Sequence, residues 1–498
     1  MDNKSAVIVG AGIGGIATAV FLARNGYKVK VYEKNSFPGG RCSGVIRDGH
    51  RFDMGATIYL MPSIYRSAFE SMGLKIEDCF EYLPLNTLYT VYFEDGTEIP
   101  FSADEGIMQS ALENTEPGSY AKTLQYSKTG YGFFNLAMEK LIGRNFYRLS
   151  DFVTFSNMNL LLKLKTYVRH MIFIRKFFRH PHLRKAFTFQ NIYVGQDPYK
   201  APALFAMIPA AELTEGSLVP VGGMAKITES LVAVAEKLGV QFFFGKAVSR
   251  IKVNGKRTEG ILLEDGEEVS AGVVVANADL PYVYRELLPD KRISRRIDRL
   301  KFSCSAVVIH WGLDKTYPQL GHHSVFLSDD YRSNLHRIFR DHSLSDNPSF
   351  YVHAPSRTDP SAAPEGGDTL TIIIPSGHVY EKKSQNWDER LQKARQSVIN
   401  RLKKLGLTDI EDHIKFEFSY LPDDWKNIFN LSRGATFGSL GHNIFQMGYF
   451  RPHNRHRRYK NLYFAGGSTH PGNGIPLVLL SAKLTTERIL KESRVAMA

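Results

Sequence analysis

The sequence is poor in cysteine and has no long apolar run. Its 498 residues include only three cysteines, Cys42, Cys79 and Cys304, which are odd in number and far apart. This pattern argues against a disulfide framework and against a metal cluster, and it favours a reducing compartment. No stretch of about 18 consecutive apolar residues occurs, so no transmembrane helix is predicted. We therefore expect a cytoplasmic protein without a bound metal, which contacts any membrane only peripherally.

Acidic residues are absent between Phe152 and Gln196, in a chain with a formal net charge of +13. Aromatic and aliphatic residues alternate there with Lys163, Lys165, Arg169, Arg175, Lys176, Arg179, Arg184 and Lys185. Such a segment is typical of an amphipathic helix at a membrane interface, with its cations at anionic headgroups. A core-packing helix with a solvated basic face is the alternative. Nucleic acid is not an expected partner, because no recognised binding motif accompanies the charge.

A glycine-rich turn follows the first predicted strand, Ala6–Val9, and precedes a predicted helix, Ile16–Arg24. Its glycines Gly10, Gly12 and Gly15 form the pattern G-x-G-x-x-G. In a dinucleotide site the first glycine permits a tight turn, the second lets the pyrophosphate approach the backbone, and the third lets the helix pack closely on the strand. The helix N-terminus then faces the phosphates.

An acidic residue closes the second predicted strand, Lys28–Tyr32. It is Glu33, 18 residues after Gly15, where a carboxylate can accept hydrogen bonds from ribose hydroxyls. The order strand, glycines, helix, strand and acid predicts a dinucleotide site rather than a chance glycine-rich turn. The neighbouring residues Gly14 and Lys34 are also candidate binding residues.

The stretch EKNSFPGGR, which begins at Glu33, indicates which dinucleotide is bound. Here the sequence resembles the flavin amine oxidase and carotenoid desaturase superfamily, in which Gly-Gly-Arg follows the second strand and the arginine meets the FAD phosphates. The matching residues are Gly39, Gly40 and Arg41. A guanidinium suits a buried pyrophosphate, because it offers several donors and stays charged. The alternative is a surface turn with a solvated arginine.

Near the C-terminus, NLYFAGGSTHPGNGIPLVLL predicts a strand at Leu462–Ala465, a glycine-rich turn and a helix from about Pro476. In the superfamily that it resembles, this turn returns to the FAD-binding domain and its backbone amides meet the flavin. The residues implied by this resemblance are Gly466, Gly474, Ile475 and, at the adenine, Val248. His470 and Asn473 remain open between loop-forming residues and direct participants.

Four further motifs resemble the bacterial phytoene desaturases and the related C30 desaturases and carotenoid oxygenases. They are FDMGATIYLMP from Phe52 to Pro62, FTFQNIYVGQDPYKAPALFAMI from Phe187 to Ile208, VPVGGMAKITESL from Val219 to Leu231, and YFRPHNR from Tyr449 to Arg455. The resemblance thus spans essentially the whole chain. It departs at Ala56, where many relatives have proline, and at Asn473, where a small residue is usual.

This resemblance implies an α/β fold in which a Rossmann-like FAD-binding domain of the amine oxidase type joins a substrate domain of mixed sheet plus helices. We expect residues 1–105, 216–290 and 451–498 to form the three parts of the FAD-binding domain. Residues 106–215 are expected to be a helical segment that associates with a membrane. Residues 291–450 are expected to form the substrate-binding domain.

The implied reaction is FAD-dependent desaturation of phytoene or a related linear carotenoid precursor. A hydride passes to flavin N5 and a proton leaves the neighbouring carbon. The expected partners are a long apolar polyene, bound by burial of apolar surface, an anionic membrane surface, and quinone or dioxygen as electron acceptor. No catalytic base is assigned, because sequence spacing does not show which side chains converge.

Other functions remain open, since a fold alone does not decide function. They are a carotenoid oxygenase, another flavin oxidase that acts on amines or porphyrinogens, and a nonenzymatic prenyl or lipid carrier. The last cysteine is Cys304, so a thioether-linked flavin in the C-terminal turn is not expected. We therefore predict noncovalent FAD.

Overall fold

The computed structural model describes residues 4–288, 291–381 and 385–497. Its parallel sheet has five strands from three separate parts of the chain. In spatial order they are Leu462–Phe464, Val273–Ala276, Ser5–Val9, Lys28–Tyr32 and Gln241–Phe243. Ala6 pairs with Val273, and Val9 pairs with Tyr32. Two of the inner strands, Ser5–Val9 and Val273–Ala276, are almost entirely buried, which explains why their sequences are nearly continuous apolar runs.

Three helices pack with this sheet into one apolar core: Ile13–Arg24, Ala225–Lys237 and Ile475–Met497. The sequence predicts that the first helix starts at Ile16. In the structure it starts at Ile13, directly after Gly12, whose backbone is extended. Every residue from Ile13 to Leu22 is buried. The helix is therefore enclosed rather than amphipathic, and its many small residues allow the close packing.

The second large sheet has seven strands. In spatial order they are Ile414–Tyr420, Ser305–Leu313, Asp368–Ser376, Phe350–His353, His323–Phe326, Thr87–Tyr92 and Glu98–Ser102. All neighbours are antiparallel except His323–Phe326 and Thr87–Tyr92, which are parallel. Residues 87–102 therefore extend the sheet of the expected substrate domain, although the sequence places them in the first FAD-binding part. The sequence of a hairpin does not show which sheet edge it joins.

Smaller strand pairings complete the sheets. One antiparallel sheet contains Val248–Asn254, Arg257–Leu263 and Glu268–Ser270. Gly44–Arg47 pairs with His50–Asp53, and Tyr82–Pro84 pairs with Leu218–Pro220.

The remaining helices form two groups along the chain, one before residue 216 and one after residue 279. Those before residue 216 are Pro62–Ser71, Glu105–Thr115, Ser119–Ala137, Leu149–Phe152, Phe155–Lys163, His170–Phe173, Pro181–Ala186 and Met207–Glu215. The later ones are Leu280–Tyr282, Lys291–Asp298, Tyr331–Phe339, Trp387–Lys404 and Pro422–Phe429. Residues 105–215 are thus mainly helical, and their aromatic side chains share one core with the edge of the seven-stranded sheet.

The acid-free segment is not a single amphipathic helix. It is divided into short helices, of which Phe155–Lys163 and His170–Phe173 are two. Many of its apolar side chains are buried in the core, including Leu164 and Phe178. The single interfacial helix expected from sequence is therefore wrong in its continuity, because many apolar side chains along the segment pack into the core.

No helix within the described residues combines the length and apolarity needed to cross a bilayer. The three cysteines are free thiols, and Cys42 and Cys304 are buried.

Candidate functional site

One cavity of about 820 Å³ connects the carboxyl ends of the parallel strands with the seven-stranded sheet. Its wall contains every predicted binding residue except Gly15: Gly10, Gly12, Gly14, Glu33, Lys34, Gly39, Gly40, Arg41, Val248, Gly466, Gly474 and Ile475. Residues from both ends of the chain therefore meet at one site. Ligands of open parallel sheets bind at this edge, beyond the carboxyl ends of the strands.

The N-terminal turn is built by close backbone contacts. Gly10 has a φ of 101°, in the left-handed region that favours glycine. A Cβ atom on Gly15 would overlap the carbonyl oxygen of Gly10, so this residue serves helix packing and does not reach the cavity. A Cβ atom on Gly12 would lie 2.8 Å from Oδ1 of Asn277. The turn therefore has no room for side chains on the side that faces Asn277.

The second strand ends in a fixed carboxylate. The Glu33 side chain accepts hydrogen bonds from the backbone N–H groups of Ala11, at 2.8 Å, and Asn35, at 2.9 Å. These bonds hold the carboxylate against the glycine turn, and its unused lone pairs remain for a ribose. Lys34 instead donates to the Asn427 carbonyl oxygen at 2.6 Å and to Asn430 Oδ1 at 3.1 Å. Lys34 thus links the second strand to the end of the helix Pro422–Phe429.

Arg41 is a half-buried cation at the glycine-rich end of the cavity. Its guanidinium donates to the carbonyl oxygen of Thr436, and burial lowers its pKa while the charge of Asp279 opposes that shift. The Asp279 carboxylate accepts a hydrogen bond from the Ser432 backbone at 2.9 Å, and burial raises its pKa. Arg41 therefore keeps donors available for an anionic group on the cavity wall.

The C-terminal turn is held from behind by a buried arginine. Arg451 is 1% exposed and donates to the carbonyl oxygens of Gly467, at 2.6 Å, and Thr469, at 2.9 Å. Burial lowers the pKa of Arg451 to about 9. Gly466 has a φ of 117°, so the turn depends on a glycine there as well. These contacts fix the backbone of the turn in the position where Gly466 and Gly467 line the cavity.

Four buried polar atoms of cavity-wall residues have no hydrogen-bond partner among the described residues: the hydroxyls of Tyr193 and Tyr331, Oδ1 of Asn473 and Oγ1 of Thr436. The last two lie at the glycine-rich end, since Asn473 precedes Gly474 and the Thr436 carbonyl oxygen accepts from Arg41. The Asn473 amide donates to the Tyr193 carbonyl oxygen at 3.2 Å, which fixes its orientation. Buried polar atoms normally have partners, so these two fit the polar groups of a bound cofactor. With the glycine turns, Glu33 and Arg41, they form a cradle that fits FAD.

His470 does not line the cavity. Its Nε2 lies 2.9 Å from the carbonyl oxygen of Arg144, and burial lowers its pKa to about 4. Its backbone carbonyl accepts hydrogen bonds from Asn454 and Ser481. Of the two interpretations of His470, the structure supports a loop-forming role.

The far part of the cavity wall is apolar. It is formed by side chains such as Ile192, Met207, Val308, Leu327, Leu335 and Ile373. The charged residues on the wall are Glu33, Lys34, Arg41, Glu264 and Asp279, all of them at the dinucleotide end. Among the described residues, the far part of the wall therefore offers no charged group to a substrate.

Uncharged polar groups also line this part of the cavity, among them the hydroxyls of Thr57 and Tyr351. The Tyr351 hydroxyl is 3.1 Å from Oγ1 of Thr57, and both residues line the cavity. One layer behind the wall, Tyr89 donates to Oε2 of Glu212 at 3.0 Å. Burial raises the pKa of Glu212 to about 8, so this carboxyl group is mostly protonated at neutral pH.

Sequence reasoning did not identify the roles of Asn277, Arg451 and Tyr351. The Asn277 side chain donates to the Ala465 carbonyl oxygen at 3.1 Å, and so links the two glycine-rich turns. Its position directly after a buried strand was the available signal. Arg451 lies inside YFRPHNR, but only the fold shows that its partners are the carbonyl groups of the C-terminal turn.

Comparison with known proteins agrees with this architecture. The family described as flavin containing amine oxidoreductase matches residues 13–490. A zeta-carotene-forming phytoene desaturase of Myxococcus xanthus is 40% identical over 491 residues, which cover 98% of this chain and 94% of that protein. A 4,4'-diapophytoene desaturase (4,4'-diaponeurosporene-forming) of Staphylococcus aureus is 33% identical over 496 residues, with 97% and 98% covered.

The fold also matches solved structures. An oxidoreductase from Methanosarcina mazei superposes with a TM-score of 0.61 at 15% identity, over 97% of this chain and all of that chain. At this identity the match shows the fold alone. With the family match and the two desaturase relatives, it leads to one conclusion: the chain belongs to the flavin-containing amine oxidoreductase family.

Proposed function

We propose that this chain is an FAD-dependent desaturase that introduces C=C bonds into phytoene or a related linear carotenoid precursor. One observation carries the proposal: a single cavity joins a dinucleotide cradle to an apolar wall without charged side chains. Relatives that match nearly the whole chain are phytoene and diapophytoene desaturases. The wall fits their kind of substrate, because a hydrocarbon offers no charge or polar group for recognition.

The chain's own residues supply the cofactor site. In this proposal Glu33 binds the ribose, Arg41 and the N-terminal glycine turn bind the phosphates, and the turn at Gly466 contacts the flavin. Bound FAD supplies the two-electron acceptor that takes a hydride from a C–H bond. All three cysteines lie outside the residues that form the C-terminal turn, which supports noncovalent binding.

Substrate binding follows from the apolar wall. Burial of apolar surface contributes roughly 25 cal/mol per Å². This contribution supplies most of the binding free energy of a polyene. The length and shape of the cavity then decide which carbon atoms lie beside the flavin cradle. The absence of charged groups from the far wall, among the described residues, disfavours an ammonium substrate, which would lose its hydration without a compensating partner.

We also propose that the protein attaches peripherally to an anionic membrane, where it meets its substrate and passes electrons to quinone or dioxygen. Large apolar side chains are exposed on two adjacent segments, 149–172 and 444–450. They are Leu149, Val153, Phe155, Met158, Leu162, Tyr167, Ile172, Ile444, Phe445 and Phe450. Phe152 joins the segments, since its ring centroid lies 5.6 Å from that of Phe450. This set is called the apolar rim below, and the basic residues near it suit anionic headgroups.

Product analysis tests the desaturase function. Purified protein supplemented with FAD is incubated with liposomes that carry phytoene or its C30 analogue, and pigments are separated by chromatography. A longer-conjugated product with red-shifted absorption supports the proposal and selects the chain length. Intact substrate, recovered from protein that demonstrably binds FAD, would contradict it and direct attention to later carotenoids or to oxygenation.

A further inference from the structure

The cavity wall connects to the interior through Tyr351. On one side its hydroxyl lies 3.1 Å from Oγ1 of Thr57, which also lines the cavity. On the other side the same hydroxyl lies 2.7 Å from Nδ1 of His323. A tyrosine hydroxyl donates one hydrogen bond and accepts others. In the structure the Tyr351 hydroxyl donates its proton to Thr57. Once this hydroxyl has turned toward His323, Tyr351 can accept a proton from the cavity while it gives its own to that ring.

His323 belongs to a group of three buried histidines that also contains His322 and His353. Nε2 of His353 lies 3.2 Å from Nε2 of His322. Nδ1 of His322 lies 2.8 Å from Oγ1 of Thr358, which is half-buried at the protein surface. One ring nitrogen of each histidine lies within 4.8 Å of those of the other two. A single water molecule can bridge such a gap by hydrogen bonds to both rings.

We propose that Tyr351, His323, His353 and His322 form a proton relay from the cavity to Thr358 and the solvent. The proposal rests on the desaturase function proposed above. In each desaturation one hydrogen leaves its carbon as a hydride, with both electrons of that C–H bond, and bound FAD is the oxidant. The neighbouring carbon loses a proton, and the electrons of that second C–H bond become the new π bond. The proton of that second bond goes to the Tyr351 oxygen as the tyrosine proton moves to His323. One proton then reaches solvent for each double bond formed.

The protonation states of the group suit this role. Burial lowers the pKa of His322 to about 3, and it holds the pKa values of His323 and His353 well below their usual range. The rings are therefore neutral near pH 7, and each has one donor and one acceptor nitrogen. A neutral ring can take a proton at one nitrogen and release another from the opposite nitrogen.

Two other uses of these groups fit the structure less well. For a metal bound through three imidazoles at about 2.0 Å, the ligand atoms, which lie within 4.8 Å of one another, would have to close to about 3.3 Å. Glu212 is another buried acid near the cavity, but its neighbours Tyr89 and Gln190 are themselves buried. Glu212 thus lacks the exit that Thr358 gives the histidines.

Tyr351→Phe is the first test, because it removes the hydroxyl and keeps the ring. Purified holoprotein is mixed anaerobically with phytoene-loaded liposomes, and the rate of flavin bleaching is recorded. We expect a rate about 10²-fold below that of the wild type, with FAD content unchanged and a melting temperature that falls by only a few degrees, because buried His323 loses one hydrogen-bond partner. His323→Gln and His353→Gln should show similar losses. His310→Gln is the matched control, because His310 is buried, is bonded through Nδ1 to Thr371 at 3.0 Å and does not line the cavity.

The outcomes separate the two proposals. Wild-type flavin that never bleaches with either the C40 or the C30 substrate would overturn the desaturase function itself. Wild-type bleaching together with an unimpaired Tyr351→Phe variant would overturn only the relay. Added imidazole should restore bleaching in His323→Ala but not in Tyr351→Phe, a difference that a merely structural histidine would not produce.

A readout without turnover is also available. With ¹⁵N-labelled histidine, Tyr351→Phe should shift the ring nitrogen signals of His323 and leave those of His310 in place. Unchanged His323 signals would contradict the hydrogen bond on which the relay depends. One equivalent of tightly bound metal in the purified wild-type protein would likewise overturn the relay.

Discussion

The side-chain amide of Asn277 donates a hydrogen bond to the carbonyl oxygen of Ala465, and this contact joins the two glycine-rich turns of the cavity. The same side chain lies against the N-terminal turn, since a Cβ atom on Gly14 would be 2.7 Å from its Nδ2. Two turns more than 400 residues apart in sequence are thus fixed relative to each other by one amide. We expect the geometry of the FAD cradle to depend on this contact.

Replacing Gly14 by alanine should therefore reduce FAD binding. The added methyl group would approach Asn277 to 2.7 Å and a methyl group of Val478 to 2.8 Å, so either the amide or the C-terminal helix must move. FAD content after purification and a flavin titration measure the effect, and we expect at least a tenfold loss of affinity. Gly132→Ala is the control, because it lies in the helix Ser119–Ala137 with open space at its Cβ position. It should raise stability by about 0.5–1 kcal/mol and leave FAD binding unchanged. Equal FAD affinity in both variants would refute the role given to Asn277.

Arg451 should be required for the C-terminal turn. Arg451→Met leaves the carbonyl oxygens of Gly467 and Thr469 without their donors, and unsatisfied buried acceptors cost about 1–3 kcal/mol each. We expect a lower melting temperature and weaker flavin binding, both followed by the fluorescence of released flavin during heating. Arg457→Met, at an exposed position nearby, should change neither. Wild-type behaviour of Arg451→Met would show that the turn holds its shape without the guanidinium.

Glu212 should make stability depend on pH. Its pKa is raised to about 8 by burial, whereas in the unfolded chain it titrates near 4.3. Between about pH 4.3 and about pH 8, the folded state therefore binds one proton more than the unfolded state at Glu212. The free energy of unfolding falls as pH rises through this range, by about 1.4 kcal/mol per pH unit.

Glu212→Gln removes this term and keeps the shape of the side chain. The difference in melting temperature between the two proteins should therefore shift in favour of the variant as pH rises from 5 to 8. Glu215→Gln, in the same helix but only half-buried, serves as the control. A difference between wild type and Glu212→Gln that is constant over this range would mean that Glu212 ionises normally in the folded protein.

The apolar rim should decide membrane binding. Phe155 is 91% exposed and Leu162 is 60% exposed, and burial of such a side chain contributes about 1.5–3 kcal/mol. Phe155→Glu and Leu162→Glu should each lower flotation with liposomes that contain an anionic lipid by about tenfold or more. Ile46→Glu is the control, since Ile46 is 76% exposed but lies in the separate hairpin that begins at Gly44. Equal losses in all three variants, or no flotation of the wild type at low salt, would refute the rim.

Local chemistry explains what the sequence could predict. The glycine pattern before Ile16, the acid at Glu33 and the Gly-Gly-Arg at Arg41 are short-range signals of one known type of site, and the structure brings all but Gly15 to one cavity wall. Their contacts with FAD remain a prediction. The sequence assigns residues 87–102 to the first FAD-binding part, whereas the structure adds them to the seven-stranded sheet. The sequence does not show this because strand pairing depends on residues far apart in the chain.

The sequence could not predict which distant side chains meet in the folded protein. Tyr351, His323 and Thr57 lie on three separated strands and loops, and nothing in their spacing shows that their side chains meet. The same holds for the acid-free segment. Its composition predicts one interfacial helix. In the structure, Leu164 and Phe178 are buried in the core, whereas Phe155 is exposed.

The most direct test of the proposed function is an anaerobic titration of the FAD-loaded protein with liposomal phytoene or its C30 analogue, in the absence of any electron acceptor. Flavin absorbance and carotenoid products are measured in the same sample. The proposed function predicts that one flavin is reduced for each double bond formed. Product formation without flavin reduction, or no bleaching with either substrate, would contradict a desaturase that uses this cavity for hydride removal.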